Sequence, residues 1–70
     1  MAAEIMREAG ADPTKNEAVI KEMAMILGDY MATLSATMGL SLERVELYNK
    51  QKASLVEDVR QGIKDGMIIT

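Results

Sequence analysis

The chain has 70 residues, a formal net charge of −3, no cysteine, no histidine, and two tyrosines as its only aromatics. These absences remove disulfide staples, thiolate nucleophiles, imidazole acid–base groups and the usual nitrogen and sulfur ligands of structural zinc. The acidic balance also disfavours nonspecific attachment to nucleic acid or to an anionic membrane.

A short helix is expected over residues 1–10, with Ala2 to Ala9 as its body and Gly10 as its left-handed stop. Gly10-Ala11-Asp12-Pro13 is the clearest break in the chain. Asp12 followed by Pro13 suits an N-cap with proline at the first helical position, and Thr14 with Glu17 offers a capping box one step later. A long helix is therefore expected over residues 13–38.

That helix reads as apolar around most of its circumference. One row is Val19, Met23, Ile26, Tyr30 and Leu34; a second is Ile20, Leu27, Met31, Leu34 and Met38. Glu22, Asp29, Thr33 and Thr37 take the narrow remaining face. Gly28 sits inside the helix at a cost of about 1 kcal/mol relative to alanine, either as a tolerated weak spot or as a close helix–helix crossing.

Gly39 ends this helix and Ser41 caps the next, expected over residues 41–66. Leu42, Val45, Tyr48, Leu55, Val56, Val59 and Ile63 form its apolar stripe, and charges cover the rest. Gly62 and Gly66 are expected to loosen its end. Residues 67–70 form an apolar tail, too short for a strand unless it pairs with something.

The short connection Gly39-Leu40-Ser41 favours two antiparallel neighbours, with Leu34 facing Val45, Met31 near Tyr48, and Met23 near Val59 or Glu57. The fold class is thus all-α and single-domain: a short N-terminal helix followed by a long antiparallel helical hairpin. A chain this small usually needs a staple, and oligomerisation is the one its composition leaves. The expectation is a homodimeric four-helix bundle, with Ile20, Met25, Leu27, Met31 and Met38 at the oligomer or partner interface. Met25 is singled out because it lies about 200° from Met23 around the helix, at 100° per residue, and so cannot share its row.

Asn49, Gln51 and Lys52 interrupt the stripe of the last helix. Across the hairpin they meet the level of Asp29, so Asp29, Tyr48, Asn49 and Lys52 are expected to form a polar layer. Such a layer fixes register, contacts a ligand, or simply lets Lys52 run to solvent along its alkyl stem.

Two chemical readings were weighed on spacing. Glu43 and Glu46 stand at i, i+3, as in magnesium-binding helical pyrophosphohydrolases, but the second half of that pattern fails because Arg60 follows Glu57 by three. Leu34, Ser35, Met38, Gly39, Leu40, Val45 and Tyr48 match helix-turn-helix spacing, with Arg44, Asn49, Lys50 and Lys52 as the residues that would meet DNA. Glu43 and Glu46 are poor choices at the start of a recognition helix.

The function expected is therefore binding, not catalysis: a small helical oligomer that regulates, adapts or inhibits a larger protein. In size and character it is similar to small inhibitors encoded by phages and mobile elements. The alternative is a dimeric helix-turn-helix transcriptional regulator. No cofactor or metal is expected. No apolar run nears the roughly 20 residues that cross a bilayer, and Met1-Ala2-Ala3-Glu4 lacks a basic leader region, so cytoplasmic residence is expected.

Overall fold

A computed structural model of the chain describes residues 2–70. It is all-helical: α1 spans Ala2–Ala9, a 3₁₀ turn spans Pro13–Lys15, α2 spans Glu17–Met38 and α3 spans Leu42–Lys64. The expected start of the first helix at Met1 lies outside the described residues. At 1.5 Å per residue α2 and α3 are each roughly 33–35 Å long. The molecule measures 38 × 17 × 16 Å, so both helices must lie along its long axis.

They run antiparallel. Val19, Met23 and Ile26 share one groove with Val59 and Leu55, while Leu27 and Met31 share another with Tyr48. The expected pairings of Met31 with Tyr48 and Met23 with Val59 describe this register. The pairing of Leu34 with Val45 does not hold as a core contact: Leu34 is buried but Val45 is 47% exposed.

α1 folds back onto both long helices and supplies Ala2, Ile5 and Met6 to the core, Met6 being fully buried. It ends in a Schellman motif. Gly10 (φ +92) donates to the Arg7 carbonyl at 3.1 Å and Ala11 to the Met6 carbonyl at 2.8 Å, and both Met6 and Ala11 are buried. The same device closes α3: Gly66 (φ +74) donates to Ile63 and Met67 to Gly62.

The entry to α2 departs from the expected single helix over 13–38. The Asp12 carboxylate accepts from both the N–H and the hydroxyl of Thr14, which with Pro13 makes a 3₁₀ turn. The Thr14–Glu17 capping box is not formed, because the Thr14 hydroxyl donates backwards. That hydroxyl and then the Thr14 N–H hold the Asp12 carboxyl below its usual range. The cap is therefore present above the ordinary carboxylate pKa and is lost only as pH falls through the lower folded value.

Asn16 interrupts the chain between the turn and α2, with φ −131 and ψ 45. Its buried carboxamide does not cap the helix. It donates to the Asp12 carbonyl at 2.7 Å and to the Ile69 carbonyl at 2.8 Å, and accepts from the Ile69 N–H at 3.0 Å. One side chain thus pairs with both backbone groups of Ile69, as a neighbouring strand would. This is the pairing that the tail needed. Ile68 then lies against α3 so closely that a Cβ on Gly62 would meet its Cδ1 at 2.5 Å. Gly62 does not loosen α3; it makes room for the tail.

Two outcomes are expected from these contacts. Asn16→Ala removes three part-buried hydrogen bonds and should lower stability by about 1–3 kcal/mol, with loss of amide-exchange protection at Ile69. Unchanged denaturant midpoint and protection would refute the latch. A Cβ on Gly28, by contrast, meets nothing within 4 Å. Gly28→Ala should raise stability by about 0.5–1 kcal/mol through helix propensity alone, measured by the same unfolding curves.

Candidate interaction surface

The residues of α2 sort by angle into one buried arc. Met23, Leu27 and Leu34 are buried at its centre. Val19 and Tyr30 flank it on one side and Ile20, Met31 and Met38 on the other, all half-buried against the core. The arc spans roughly 120° at 100° per residue. The two apolar rows of the sequence are therefore the two halves of one arc, not two faces, and Ile26, 39% exposed, lies outside it.

This corrects the placement of Leu27. It is 4% exposed and sits in the chain's own core between α2, α3 and α1, so it has no surface to offer a partner. The apparent excess of apolar surface came from counting alanine. Ala18, Ala32 and Ala36 are exposed and build the outer face with Met25, which is 69% exposed and opposite the core, while Ala24 borders the groove of Leu27 and Met31. An alanine methyl is a helix former that exposes little area. Gly28 is open, so the close helix–helix crossing is not found within the chain.

The expected polar layer is re-partnered. Asn49 and Lys52 line a groove of about 210 Å³, but across from them stand Glu4 and Glu8 of α1, not Asp29. Asp29 is exposed on α2. Gly28 does not accommodate the Lys52 stem, since nothing approaches it. Lys52 instead lies over the ring of buried Tyr48, its Nζ 5.2 Å from the centroid. Such a cation–π contact contributes about 0.5–1 kcal/mol. The neighbour differs from the expected one because α1 folds onto that face.

The residues of the DNA reading divide. Asn49 and Lys50 are exposed, while Lys52 is engaged with Tyr48. Arg44 donates from Nη1 to Ser35 Oγ at 2.7 Å, tying the start of α3 to the end of α2, and its Nε is buried without a hydrogen-bond partner. A helix crossing its neighbour at 90–120°, as a recognition helix does, needs a breadth near its own length. The 17 × 16 Å cross-section does not contain one. Among the described residues no group of three acidic side chains converges for a metal ion, and no helix is long and apolar enough to cross a membrane.

The surface that stands out was missed: the tip of the hairpin. Leu40, Leu42 and Val45 are 92%, 75% and 47% exposed and share a concavity of about 330 Å³ with Ser41 and Arg44. The stripe of α3 does not start at Leu42 and Val45 as buried positions, because among the described residues α1 begins at the level of Met31 and Tyr48 and covers nothing beyond. A signal was present in the sequence. Residues 30–42 carry no charge, in a chain that is 27% charged, although this run crosses a solvent-exposed turn. Its polar groups are also satisfied internally: Thr33 donates to the Asp29 carbonyl and Thr37 to the Thr33 carbonyl, both at 3.0 Å. Thr33 and Thr37 therefore have their hydroxyl protons directed into their own helix.

No protein-family model, curated protein or solved structure matches this chain. The surface therefore carries the functional argument alone. Random-sequence duplex DNA at physiological salt should give no anisotropy change with this protein. Salt-dependent binding that weakens in Arg44→Ala, Lys50→Ala and Lys52→Ala would restore the nucleic-acid reading.

Proposed function

We propose that this chain is a non-enzymatic helical protein that acts by protein–protein contact, in self-associated form, as a regulator, adaptor or inhibitor of a larger protein. The observation that carries the reading is the hairpin tip, where three aliphatic side chains are exposed together at the end of a charge-free run over residues 30–42. Interface cores are depleted in charge relative to the rest of a protein surface, whereas solvent-facing helices and turns are rich in it. Single exposed aliphatic residues are unremarkable; Leu40, Leu42 and Val45 together at one projecting end, the first two closing a charge-free run over residues 30–42, are a patch.

The chemistry of the remaining surface supports binding over catalysis. The groove between α1 and α3 holds Glu4, Glu8, Asn49 and Lys52, yet Lys52 is committed to Tyr48 and the two glutamates are exposed to water. Nothing there combines a nucleophile with an adjacent base.

A photo-crosslinking residue placed at Leu42 tests the proposal in cells of the protein's own source, with Gln61, exposed near the opposite end, as the reference position. Protein adducts are expected from position 42 and not from position 61. Equal absence of adducts from both positions would remove the binding reading.

A further inference from the structure

We propose that the hairpin tip is the docking site for a second copy of this chain, the two tips packing isologously through Leu40, Leu42 and Val45. The proposal rests on the protein–protein reading above and adds the place and the occupant.

The first argument is continuity with an interface the chain already makes. α1 sits against Asn49, Lys52, Ala53 and Val56 of α3. Positions seven apart on a helix share a face. Leu42, Val45, Glu46 and Asn49 therefore repeat, one heptad nearer the tip, the face that receives α1. The lower half of this face buries Ile5 to 3% and Met6 completely. The upper half carries two aliphatic residues and has no helix over it among the described residues. The seat is longer than its intramolecular occupant: α1 has 8 residues, about 12 Å, against 23 residues in α3. What fits the remainder is another apolar helical segment.

The second argument is electrostatic and selects the second copy. Residues 30–50 hold Glu43, Arg44, Glu46 and Lys50, two acids and two bases, so their sum is zero. The rest of the chain carries the whole net charge of −3. Two copies meeting away from the tip bring together surfaces that share this net negative charge. Tip against tip, the acidic ends point away from each other along the 38 Å axis, beyond a Debye length of about 8 Å at physiological salt. Glu43 and Lys50 stand seven apart on one edge of α3, so an isologous antiparallel contact sets Glu43 of one copy toward Lys50 of the other, at the rim where such pairs set orientation, while Arg44 stays tied to Ser35 of its own chain.

The outer face of α2 is the competing surface. Its centre, Met25, is flanked by Glu22 and Asp29 on one edge. An antiparallel pairing of two α2 helices places that acidic edge against its own copy, a like-charge contact that the tip avoids.

Light scattering separates these surfaces. The wild-type chain should have twice its 7.7 kDa mass at micromolar concentration. Leu42→Glu and Val45→Glu should each raise the dissociation constant by more than about a hundredfold, because two-fold symmetry buries every introduced charge twice. Both positions are already exposed in the single chain, so helicity and cooperative unfolding should persist in both variants. Met25→Glu should remain dimeric. A wild-type monomer overturns the second copy as occupant while leaving the protein–protein reading intact if position 42 still crosslinks to another protein. A dimer that survives both tip variants but dissociates in Met25→Glu overturns the tip and places the interface on the outer face of α2.

Discussion

A helical hairpin roughly 33 Å long needs a third element along its length to bury its apolar side, and this chain supplies one of eight residues. Two helices side by side leave the inner edges of both stripes half open to water. α1 closes one edge over about 12 Å, from the level of Met31 and Tyr48 to the open end. There Ile5 and Met6 complete a core with Met23, Leu27, Leu55, Val56 and Val59. Nearer the tip the core thins to Leu34 with half-buried Met38 and Leu47. The exposure of Leu40, Leu42 and Val45 is the direct consequence of that shortfall.

The open end is held by hydrogen bonds more than by apolar area. Asn16 interrupts the backbone before α2 and turns its carboxamide to Ile69, while the Asp12 N–H adds a bond of 3.3 Å to the same Ile69 carbonyl. Residues 53 apart in sequence are joined there. The tail places Ile68 against Val19, Met23 and Val59 on the side of the hairpin that α1 does not reach. The hairpin is thus closed on one side by a helix and on the other by four residues of tail. The glycine at position 62 and the left-handed Gly66 are what let the tail turn back and lie flat.

Charge follows the same division. The half of the molecule with a third layer carries the net negative charge and the polar groove of Glu4, Glu8, Asn49 and Lys52. The half without one is neutral and, from residue 30 to residue 42, uncharged. Exposed aliphatic side chains that lack a covering helix are costly to leave in water. That is why the tip, with three exposed aliphatic side chains, and not the outer face of α2, with Met25 alone, carries the functional proposal.

The helices themselves were legible in the sequence because their signals are local. Gly10, Pro13, Gly39 and Ser41 act through φ preference and capping within a few residues, and they set the element boundaries. The short connection also determined the antiparallel register that pairs Met31 with Tyr48. What was not legible depends on angle and distance between elements. Periodicity places Leu27 and Ile20 in one row, but only the position of α1 decides that Leu27 is core and Ile20 an edge. Composition counts alanines 18, 24, 32 and 36 as apolar, yet their exposure here shows that a helix tolerates alanine on its water face at no cost in propensity. Asn16 carries no local signal of its role, because its partner is a tail that arrives from the far end of the chain. Residue type and spacing settle local structure; which groups meet across space is settled by packing, since the same periodic stripe accepts any neighbour of the right width.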